Sequence, residues 1–588
     1  MKKSVSRREL LKHSLAGFGA LSLPISLTAC SSDDDSGTPL VQVAFKHGVA
    51  SGDPLQDRVI LWTRVTPKDD SLHLEVVWEI SSTNDFATIL HTGKVKTSKA
   101  QDFIVKVDAD RLNAGQTYFY RFKFGTVISS VGQTRTLAQN PAAVKFAVCS
   151  CSNYPAGYFH VYKEIAQQAV DVVIHLGDYI YEYGMGGYAT EDAVTLGRTL
   201  KEDNQKEIIT LDDYRKRYAL YREDPDLQQL HATHPFIVVW DDHELTNNTW
   251  QDGAENHQAD TEGSFIERKL AALQAYFEWM PIRPISDQNQ LNIYRQFNFG
   301  DLVQLNMLDT RVLARHKQLE YADYMTAAGL NATAFQADLY NPQRTLLGHT
   351  QKAWLFQQLM NSNAMWNVLG QQVLMAKMLI PAEILAVLGQ ITSGQAGPDV
   401  LTQVNQMLTE LVSIKMRAQF QPDSLTTEEW QRIKTVVPYN LDAWDGYLVE
   451  REELYAVAKQ LNKKLVIFAG DTHNAWSATL KDQHHDVVGI ELATCSVSSP
   501  GMEKYLQIPQ QALEQFETAF TTLIDELNYC NLNQRGYLLV TFDAEHVHAE
   551  WQFVNTVKAA EYHMDQARFY ALDLDRSLQP LQNKQDVA

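Results

Sequence analysis

The pattern of apolar and polar positions predicts two kinds of region. Between residues 43 and 137, short apolar or alternating segments recur between Gly, Asp, Asn and Pro, without a helix-period stretch among them. This pattern is typical of an all-β sandwich domain that supports or orients its neighbour. Residues 141–557 alternate strand-like and helix-like segments, which predicts a layered α/β (α+β) domain.

Three segments depart from this alternation. Residues 376–439 are Gln/Leu/Met-rich and mostly helical in pattern, which predicts an insertion on the rim of the α/β domain. A second helical pattern near Gln511 precedes the last predicted strand pair. Residues 558–588 are predicted to form a C-terminal tail.

Four predicted strands end in polar side chains. In "DVVIHLGDYIYEYG", residues 171–184, a continuous apolar run predicts a buried parallel strand, and Asp178 and Tyr181 follow its end. The other three strands end at Cys151, at Asp241, Asp242 and His243 with Asn247 and Asn248 beyond, and at Asp471 with His473. Because ligands gather at the carboxyl ends of strands in open α/β sheets, we expect these side chains to converge.

Converging carboxylates predict a metal centre, because they repel one another unless cations neutralise them. Oxygen ligands suit Ca²⁺, Mg²⁺ or Mn²⁺, whereas the Tyr181 phenolate and the Cys151 thiolate are compatible with Fe³⁺. The mixed set predicts at least two metal ions, with Asp178 bridging two of them. Taken singly, each residue would more often be structural, as a helix cap, a packed aromatic or a buried thiol.

Two metal ions in such a site favour phosphoester hydrolysis. His243 would protonate the leaving oxygen or hydrogen-bond the phosphoryl group. Arg311, at the end of "LNMLDTR", is the candidate for binding phosphate oxygens in a bidentate manner. The alternative for Arg311 is a structural pair with Asp309.

Length and charge limit the function classes. The 588 residues exceed the ~250–300 at which single cores stop growing, so we expect at least two domains. The net charge of −20 disfavours a nucleic-acid-binding surface, while a bound metal would still admit a small phosphoester substrate. We expect a monomer without a stable nucleic-acid partner.

Residues 1–29 have the features of an export signal. "SRRELLK" resembles the twin-arginine signal, and the apolar stretch that follows is too short for a membrane span of ~20 residues. "LTAC" resembles a lipobox, which would anchor the mature protein by Cys30 in the periplasm or at the cell surface. The alternative is an ordinary cleaved signal. Residues 30–42 are predicted to be a polar linker, and no later segment is predicted to span a membrane.

Four cysteines lie beyond the export signal, at positions 149, 151, 495 and 530. They are too sparse for a disulfide scaffold, although a bond between Cys495 and Cys530 stays open. Cys149 and Cys151 lie two positions apart at the end of a predicted strand. One is expected to be buried and inert, and the other to face the strand end.

Several motifs together resemble one family. "GDYIY", "DDHE" and "GDTH" are similar to blocks of the calcineurin-like metallophosphoesterases, with Cys151, Asp242 and Asp471 replacing the Asp, Asn and His of the wider class. These replacements and "GVASGDPLQDRVILWTRV" resemble the alkaline phosphatase D (PhoD-like) family. Seven blocks occur in that family's order: "CSNYPAGYFHVY", "HLGDYIYEYG", "ITLDDYRKRYALYR", "VVWDDHELTNN", "MLDTR", "WNVLGQQV" and "WDGY".

This resemblance implies a metallophosphoesterase sandwich domain preceded by a small immunoglobulin/fibronectin-like domain. It implies a secreted phosphomonoesterase or phosphodiesterase with one ferric ion and two calcium ions. Iron would be bound by Cys151, Asp178 and Tyr181, and calcium by ligands that include Asp178, Asn248 and Asp471. Asp242 and His473 are assigned as further ligands.

Several alternatives stay open at this point. Monoesters compete with diesters, including phospholipid or nucleotide substrates. Either the insertion at residues 376–439 or the helical insert near Gln511 would alter the substrate range if it covers the site. A surface binding lipoprotein without turnover is a different class of function. A structural β-sandwich adhesin is a third, which the ligand set disfavours.

Overall fold

The computed structural model describes residues 41–284, 292–327, 329–392 and 400–581. The predicted export signal, Cys30 and most of the predicted linker lie outside these residues. No helix among the described residues combines the length and the apolar character that crossing a membrane would require.

The described elements follow the predicted change from strands to mixed structure. The strands are β1 Val43–Ala44, β2 Val49–Gly52, β3 Val59–Arg64, β4 Thr66–Pro67, β5 Leu74–Ser81, β6 Ile89–Thr97, β7 Ile104–Ala109, β8 Thr117–Phe124, β9 Val127–Ile128, β10 Gly132–Arg135, β11 Ala143–Cys149, β12 Val172–His175, β13 Pro235–Val238, β14 Arg295–Phe299, β15 Val303–Met307, β16 Met325–Thr326, β17 Gly329–Leu330, β18 Trp366–Gly370, β19 Leu379–Pro381, β20 Val436–Pro438, β21 Leu465–Ala469, β22 Ala475–Lys481, β23 Val487–Ala493, β24 Leu527–Asn531, β25 Arg535–Asp543, β26 His546–Val554 and β27 Tyr570–Asp575. The α-helices are α1 His160–Ala166, α2 Ala193–Leu196, α3 Leu211–Tyr221, α4 Pro225–Thr233, α5 Ala259–Glu262, α6 Phe265–Trp279, α7 Ala332–Leu339, α8 Gly348–Asn361, α9 Ala382–Thr392, α10 Val400–Phe420, α11 Thr427–Lys434, α12 Leu448–Gln460, α13 Met502–Tyr505 and α14 Leu513–Leu523.

Two large mixed sheets form the centre of the molecule. One has nine strands in the order β27-β26-β25-β11-β12-β13-β2-β3-β7, and the other has seven in the order β14-β15-β18-β21-β23-β22-β24. They share one apolar core, in which the Phe146 ring lies 5.0 Å from that of Phe299 and 6.3 Å from that of Phe468, measured between centroids. Every residue of β12 is buried, as its continuous apolar run predicts. The predicted mixed α/β class is confirmed.

The N-terminal strands belong partly to the nine-stranded sheet. A separate five-stranded sheet contains β5, β6, β8, β9 and β10. The nine-stranded sheet continues from β13 into β2, β3 and β7. Successive residues of β3 face opposite sides, so Leu61 packs in the N-terminal core and Trp62 in the central core. Residues on both sides of the predicted boundary after residue 137 therefore share the nine-stranded sheet and the central core.

The two predicted helical segments pack against each other. α9, α10 and α11 lie between β19 and β20, which pair with each other and close the base of the segment. α14 packs on α10, where Gln515 Nε2 donates to Thr409 Oγ1 over 3.1 Å. Lys415 and Asp525 add an ion pair of 2.6 Å. The two segments thus form one helical layer.

The structure also bears on the predicted C-terminal tail and on the bond considered between Cys495 and Cys530. The predicted tail from residue 558 is wrong in part, because β27 pairs with β26 and buries Leu574 at the edge of the nine-stranded sheet. The edge strand β26 would otherwise leave its backbone groups unpaired. The four cysteines are free and buried, so Cys495 and Cys530 form no disulfide.

Candidate metal centre

Four strand ends place polar side chains where the two large sheets meet. Cys151, Asp178 and Asp242 follow β11, β12 and β13, which are neighbouring parallel strands. Asp471 follows β21 of the seven-stranded sheet. The structure brings these residues together as their strand-end motifs predict.

The candidate ligand atoms fall into three overlapping groups. Within each group the atoms lie within 4.8 Å of one another; the groups are Cys151, Asp178 and His473; Asp178, Asp242 and His243; and Asp241, Asp242 and Asp471. Asp178 and Asp242 each belong to two groups. An arrangement in which carboxylates are shared between neighbouring groups suits more than one cation.

Left-handed backbone conformations are concentrated here. φ is positive at Cys151 (61°), Asp178 (55°), Asn248 (52°), Asp471 (62°) and His473 (65°). Non-glycine residues rarely adopt this conformation, which costs of order 1–3 kcal/mol and is typical of functional sites. Gly177 has a φ of 107°, and a Cβ there would lie 2.3 Å from the backbone nitrogen of Asp241. Only glycine allows this close approach of the two strand ends.

Tyr181 lies at the centre of the group that contains the thiol. Its hydroxyl donates to Asp178 Oδ2 over 2.9 Å, accepts from Ser499 Oγ over 2.7 Å and lies 3.2 Å from His473 Nε2. Burial and the charge of Asp178 raise the pKa of Tyr181 and of Cys151 well above their usual values. Both groups would therefore need a cation to ionise.

His243 is held by a buried carboxylate. Its Nδ1 donates to Glu182 Oε2 over 2.7 Å, and its backbone nitrogen donates to Asp178 Oδ1 over 3.4 Å. Burial by itself would lower the pKa of His243, but the charges of Glu182, Asp178 and Asp242 outweigh it and raise that pKa well above its usual value. His243 is thus suited to donating a proton.

Arg311 is fully buried among aspartates. Its Nε donates to Asp241 Oδ1 over 2.5 Å, its Nη1 donates to Asp442 Oδ2 over 2.6 Å, and its Nη2 donates to Asp471. Carboxylates therefore accept from all three nitrogens of the guanidinium. The expectation that Arg311 binds phosphate oxygens in a bidentate manner is corrected accordingly. Asp309 accepts from the backbone nitrogen of Arg311 over 3.0 Å but makes no ion pair with its guanidinium, so the alternative pair is not formed.

One arginine leaves the clustered carboxylates incompletely neutralised. Burial, only partly opposed by Arg311, raises the pKa of Asp471 to about 8 and that of Asp241 well above its usual range. Burial acts on Asp242 too, but Arg311 and His243 lower its pKa to about 2. Asp241 Oδ2 is buried and has no hydrogen-bond partner. An unpartnered carboxylate oxygen and an excess of acidic groups fit bound cations.

Asn248 lies at the rim of the site. Its backbone nitrogen donates to Asp242 Oδ2 over 2.6 Å. This hydrogen bond holds Asn248 beside the two groups that contain Asp242. Its side-chain amide donates to Glu255 Oε2 over 2.5 Å, and its amide oxygen is therefore the atom left for a cation.

Comparison with known proteins shows the family of the chain. Residues 146–551 match the PhoD-like phosphatase family, and residues 30–138 match the N-terminal domain of PhoD-like phosphatases. The chain belongs to the PhoD-like phosphatase family. Alkaline phosphatase D of Bacillus subtilis (strain 168) is 34% identical over 476 residues, which cover 78% of this chain and 70% of that protein. A solved structure described as that of PhoD superposes with a TM-score of 0.71 at 30% identity, covering 91% of this chain and 92% of its own.

Family membership confirms the resemblance inferred from the motifs. This PhoD-like phosphatase is a metal-dependent phosphoester hydrolase, and its substrates are small phosphoesters. The predicted enzyme class is thereby confirmed.

Sequence reasoning missed two acidic residues of this phosphatase. Glu182 follows Tyr181 directly in "GDYIYEYG" and supports His243. Glu244 follows His243 in "DDHE" and accepts from the backbone nitrogens of Asp178 and Tyr179 over 3.0 and 2.7 Å. Their position inside the recognised blocks was the available signal.

Proposed function

We propose that this PhoD-like phosphatase hydrolyses phosphomonoesters and phosphodiesters at a centre of one ferric ion and two calcium ions. The observation that carries the proposal is the sharing of Asp178 and Asp242 among three groups of ligand atoms. Shared carboxylates allow neighbouring cations to act on one phosphoryl group.

We assign the ferric ion to the group that contains the thiol. Cys151, Asp178 and Tyr181 offer a thiolate, a carboxylate and a phenolate, a set that zinc sites rarely use and that suits iron. The raised pKa values of Cys151 and Tyr181 favour a highly charged ion, because only strong positive charge would ionise both groups. We also assign His473 to this ion, because a nitrogen of its ring belongs to the same group of atoms.

We assign the calcium ions to the oxygen-rich groups. Asp178, Asp242, Asn248 and Asp471 supply carboxylate and amide oxygens, which are the ligands that calcium prefers. Arg311 neutralises part of the same charge through Asp471, so its role is to position carboxylates rather than to bind phosphate.

The chain's own residues supply the proton chemistry. When bound, the metal ions would provide a water nucleophile at neutral pH and positive charge for the phosphoryl oxygens. His243, kept protonated by Glu182, would protonate the leaving oxygen. The Glu182 carboxylate is buried and holds the imidazole in one orientation.

We also propose two properties that follow from the family and from the first forty residues. The two large sheets would form the layered metallophosphoesterase sandwich, preceded by an immunoglobulin/fibronectin-like domain. Residues 1–29 would direct twin-arginine export, and Cys30 would carry a lipid anchor in the periplasm or at the cell surface. Cell fractionation would test the anchor, because Cys30→Ala should move the protein from the membrane to the soluble fraction.

The first experiment is turnover of a nitrophenyl phosphomonoester and of the corresponding diester by the purified protein and by Asp178→Ala. We expect wild-type turnover that the variant loses, together with iron and calcium in elemental analysis, because Asp178 belongs to two of the ligand groups. Asp423→Ala, at an exposed position outside these groups, is the matched control and should keep both properties.

The ratio of the two wild-type rates decides between phosphatase and phosphodiesterase. Absence of turnover of both esters by the metal-containing protein would contradict the proposal and favour a binding lipoprotein. Retention of both metals in Asp178→Ala would contradict the assignment of a bridging ligand.

A further inference from the structure

Three tyrosine rings are stacked from the metal centre outward to the surface. The ring of Tyr188 lies 5.9 Å from that of Tyr181 with planes 29° apart, and the ring of Tyr505 lies 6.2 Å from that of Tyr188 with planes 5° apart. Tyr505, on α13, is the outermost of the three and is 47% exposed. The stack thus ends in a ring that is open to solvent.

Hydrogen bonds hold the outer rings beside the candidate iron ligands. Tyr505 donates its hydroxyl to that of Tyr188 over 2.8 Å, and the Tyr188 hydroxyl lies 3.3 Å from His473 Nδ1. The rings of Tyr505 and His473 are 6.4 Å apart. Next to Tyr505, Lys504 pairs with Glu191 over 2.7 Å and ties α13 to the segment that carries Tyr188. These contacts fix the orientation of the exposed ring relative to the ligand groups.

A fourth tyrosine lies between this stack and the proton donor His243. The ring of Tyr183 lies 5.5 Å from that of His243 and 5.7 Å from that of Tyr188. The leaving group that His243 protonates would therefore extend past aromatic side chains. Tyr505 combines this position beside the candidate ligands with an exposed ring surface, which a planar group could cover.

We propose that Tyr505, supported by Tyr188, is a stacking platform for a planar aromatic group on the phosphoester, and so determines substrate specificity. The inference rests on the proposed function, because it places the phosphoryl group at the metal centre. The ligand chemistry is a planar π system, which a nucleobase or an aryl ring supplies equally. Stacking on a ring that is already oriented loses little conformational entropy, and an alanine substitution typically removes it at a measurable cost.

The test compares esters that differ only in the ring. Adenosine monophosphate and the matching ribose phosphate share the scissile bond, as do benzyl phosphate and cyclohexylmethyl phosphate. For Tyr505→Ala we expect the ratio of kcat/KM for adenosine monophosphate to that for ribose phosphate to fall about 5- to 100-fold. Tyr505→Phe should keep this ratio, whereas Tyr505→Leu, which is apolar but not planar, should lose it.

The second pair of esters identifies the source of the ring. If the wild type prefers benzyl phosphate to cyclohexylmethyl phosphate and Tyr505→Ala reduces this preference, the platform accepts any aryl group. If the wild type shows no such preference, the platform is limited to nucleobases. Tyr340→Ala is the matched control, since Tyr340 is 62% exposed and lies at the end of α7, outside the ligand groups. It should leave every ratio unchanged.

Binding of adenosine, measured by calorimetry, separates this inference from the proposed function. We expect wild type and Tyr505→Phe to bind adenosine and Tyr505→Ala to bind it about 5- to 100-fold more weakly. Equal adenosine affinity in wild type and Tyr505→Ala, or an unchanged ester ratio, would overturn the platform even if all esters are hydrolysed. Absence of hydrolysis with normal adenosine binding would overturn the proposed function and leave the platform intact.

Discussion

The Glu182 carboxylate interacts with several groups around the proton donor. Besides His243 Nδ1, it accepts from the backbone nitrogen of Asn247 over 2.8 Å and from Asn256 Nδ2 over 3.0 Å. The charge of His243 outweighs the effect of burial and lowers the pKa of Glu182, so the carboxylate stays ionised. Glu182 is therefore a positioning residue that keeps His243 charged and oriented.

We predict that Glu182→Gln lowers kcat about 10- to 100-fold, which is the usual effect of losing a residue that orients an active-site side chain by a hydrogen bond. The pKa of His243 falls when the negative charge is removed. Because His243 acts in its protonated form, the alkaline limb of the pH profile should move to lower pH. Steady-state kinetics across pH measure both effects. Unchanged iron and calcium contents serve as the control, and an unshifted alkaline limb would contradict the role.

At the scale of elements, buried carboxylates anchor the start of the helical layer. Glu491 accepts from the backbone nitrogens of Met375 and Ala376 over 2.6 and 3.0 Å, and Glu526 accepts from that of Lys377 over 2.9 Å. Burial raises the pKa of both glutamates to about 7, although the backbone amides oppose it. Protonation of these groups therefore stabilises the folded state.

The sign of this effect gives a prediction for Glu526. Its pKa is raised from 4.5 to about 7 on folding, so its contribution to stability is greatest below pH 4.5 and is lost as the pH rises through 7. We expect Glu526→Gln to reduce the slope of the unfolding free energy in this window by up to about 1.4 kcal/mol per pH unit. Denaturant titrations across pH measure the slope.

The exposed substitution Glu545→Gln is the matched control for Glu526 and should leave the slope unchanged. A slope in Glu526→Gln equal to that of the wild type would show that Glu526 does not titrate in this window.

At the scale of the whole molecule, the buried ion pair of Asp53 and Arg295 links the two large sheets. Asp53 follows β2 of the nine-stranded sheet and is 1% exposed, and Arg295 begins β14 of the seven-stranded sheet. Arg295 Nη2 donates to Asp53 Oδ1 over 2.7 Å, and the backbone nitrogen of Arg283 donates to Asp53 Oδ2 over the same distance. The end of β2, an N-terminal strand of the nine-stranded sheet, is therefore bonded directly to the seven-stranded sheet.

We predict that Arg295→Met lowers the unfolding free energy by about 3–5 kcal/mol, because it leaves the Asp53 charge buried without its main partner. Adding Asp53→Asn should recover part of this loss. Arg58→Met, which removes a half-exposed arginine, should change stability by less than about 1 kcal/mol. Chemical denaturation measures all three variants. A loss below about 1 kcal/mol in Arg295→Met would show that the pair does not hold the sheets together.

The sequence predicted that the strand-end side chains converge, because the apolar runs of the strands before them are visible locally. It did not predict the contacts of Arg311, since Asp442 and Asp471 come from distant segments of the chain. It placed β2, β3 and β7 in a separate domain, because the strand pattern does not specify which sheet a strand joins.

The amino-acid sequence by itself determined the family, the mixed α/β class and the strand-end residues, since all three depend on short local motifs. Only the tertiary structure decided that the nine-stranded sheet continues into the N-terminal strands and that Arg311 is enclosed by carboxylates. It alone also decided that Tyr505 stacks on Tyr188, 317 positions away in the chain. Such contacts arise when distant segments bury apolar surface and pair their backbone and charged groups together, and local patterns do not encode them.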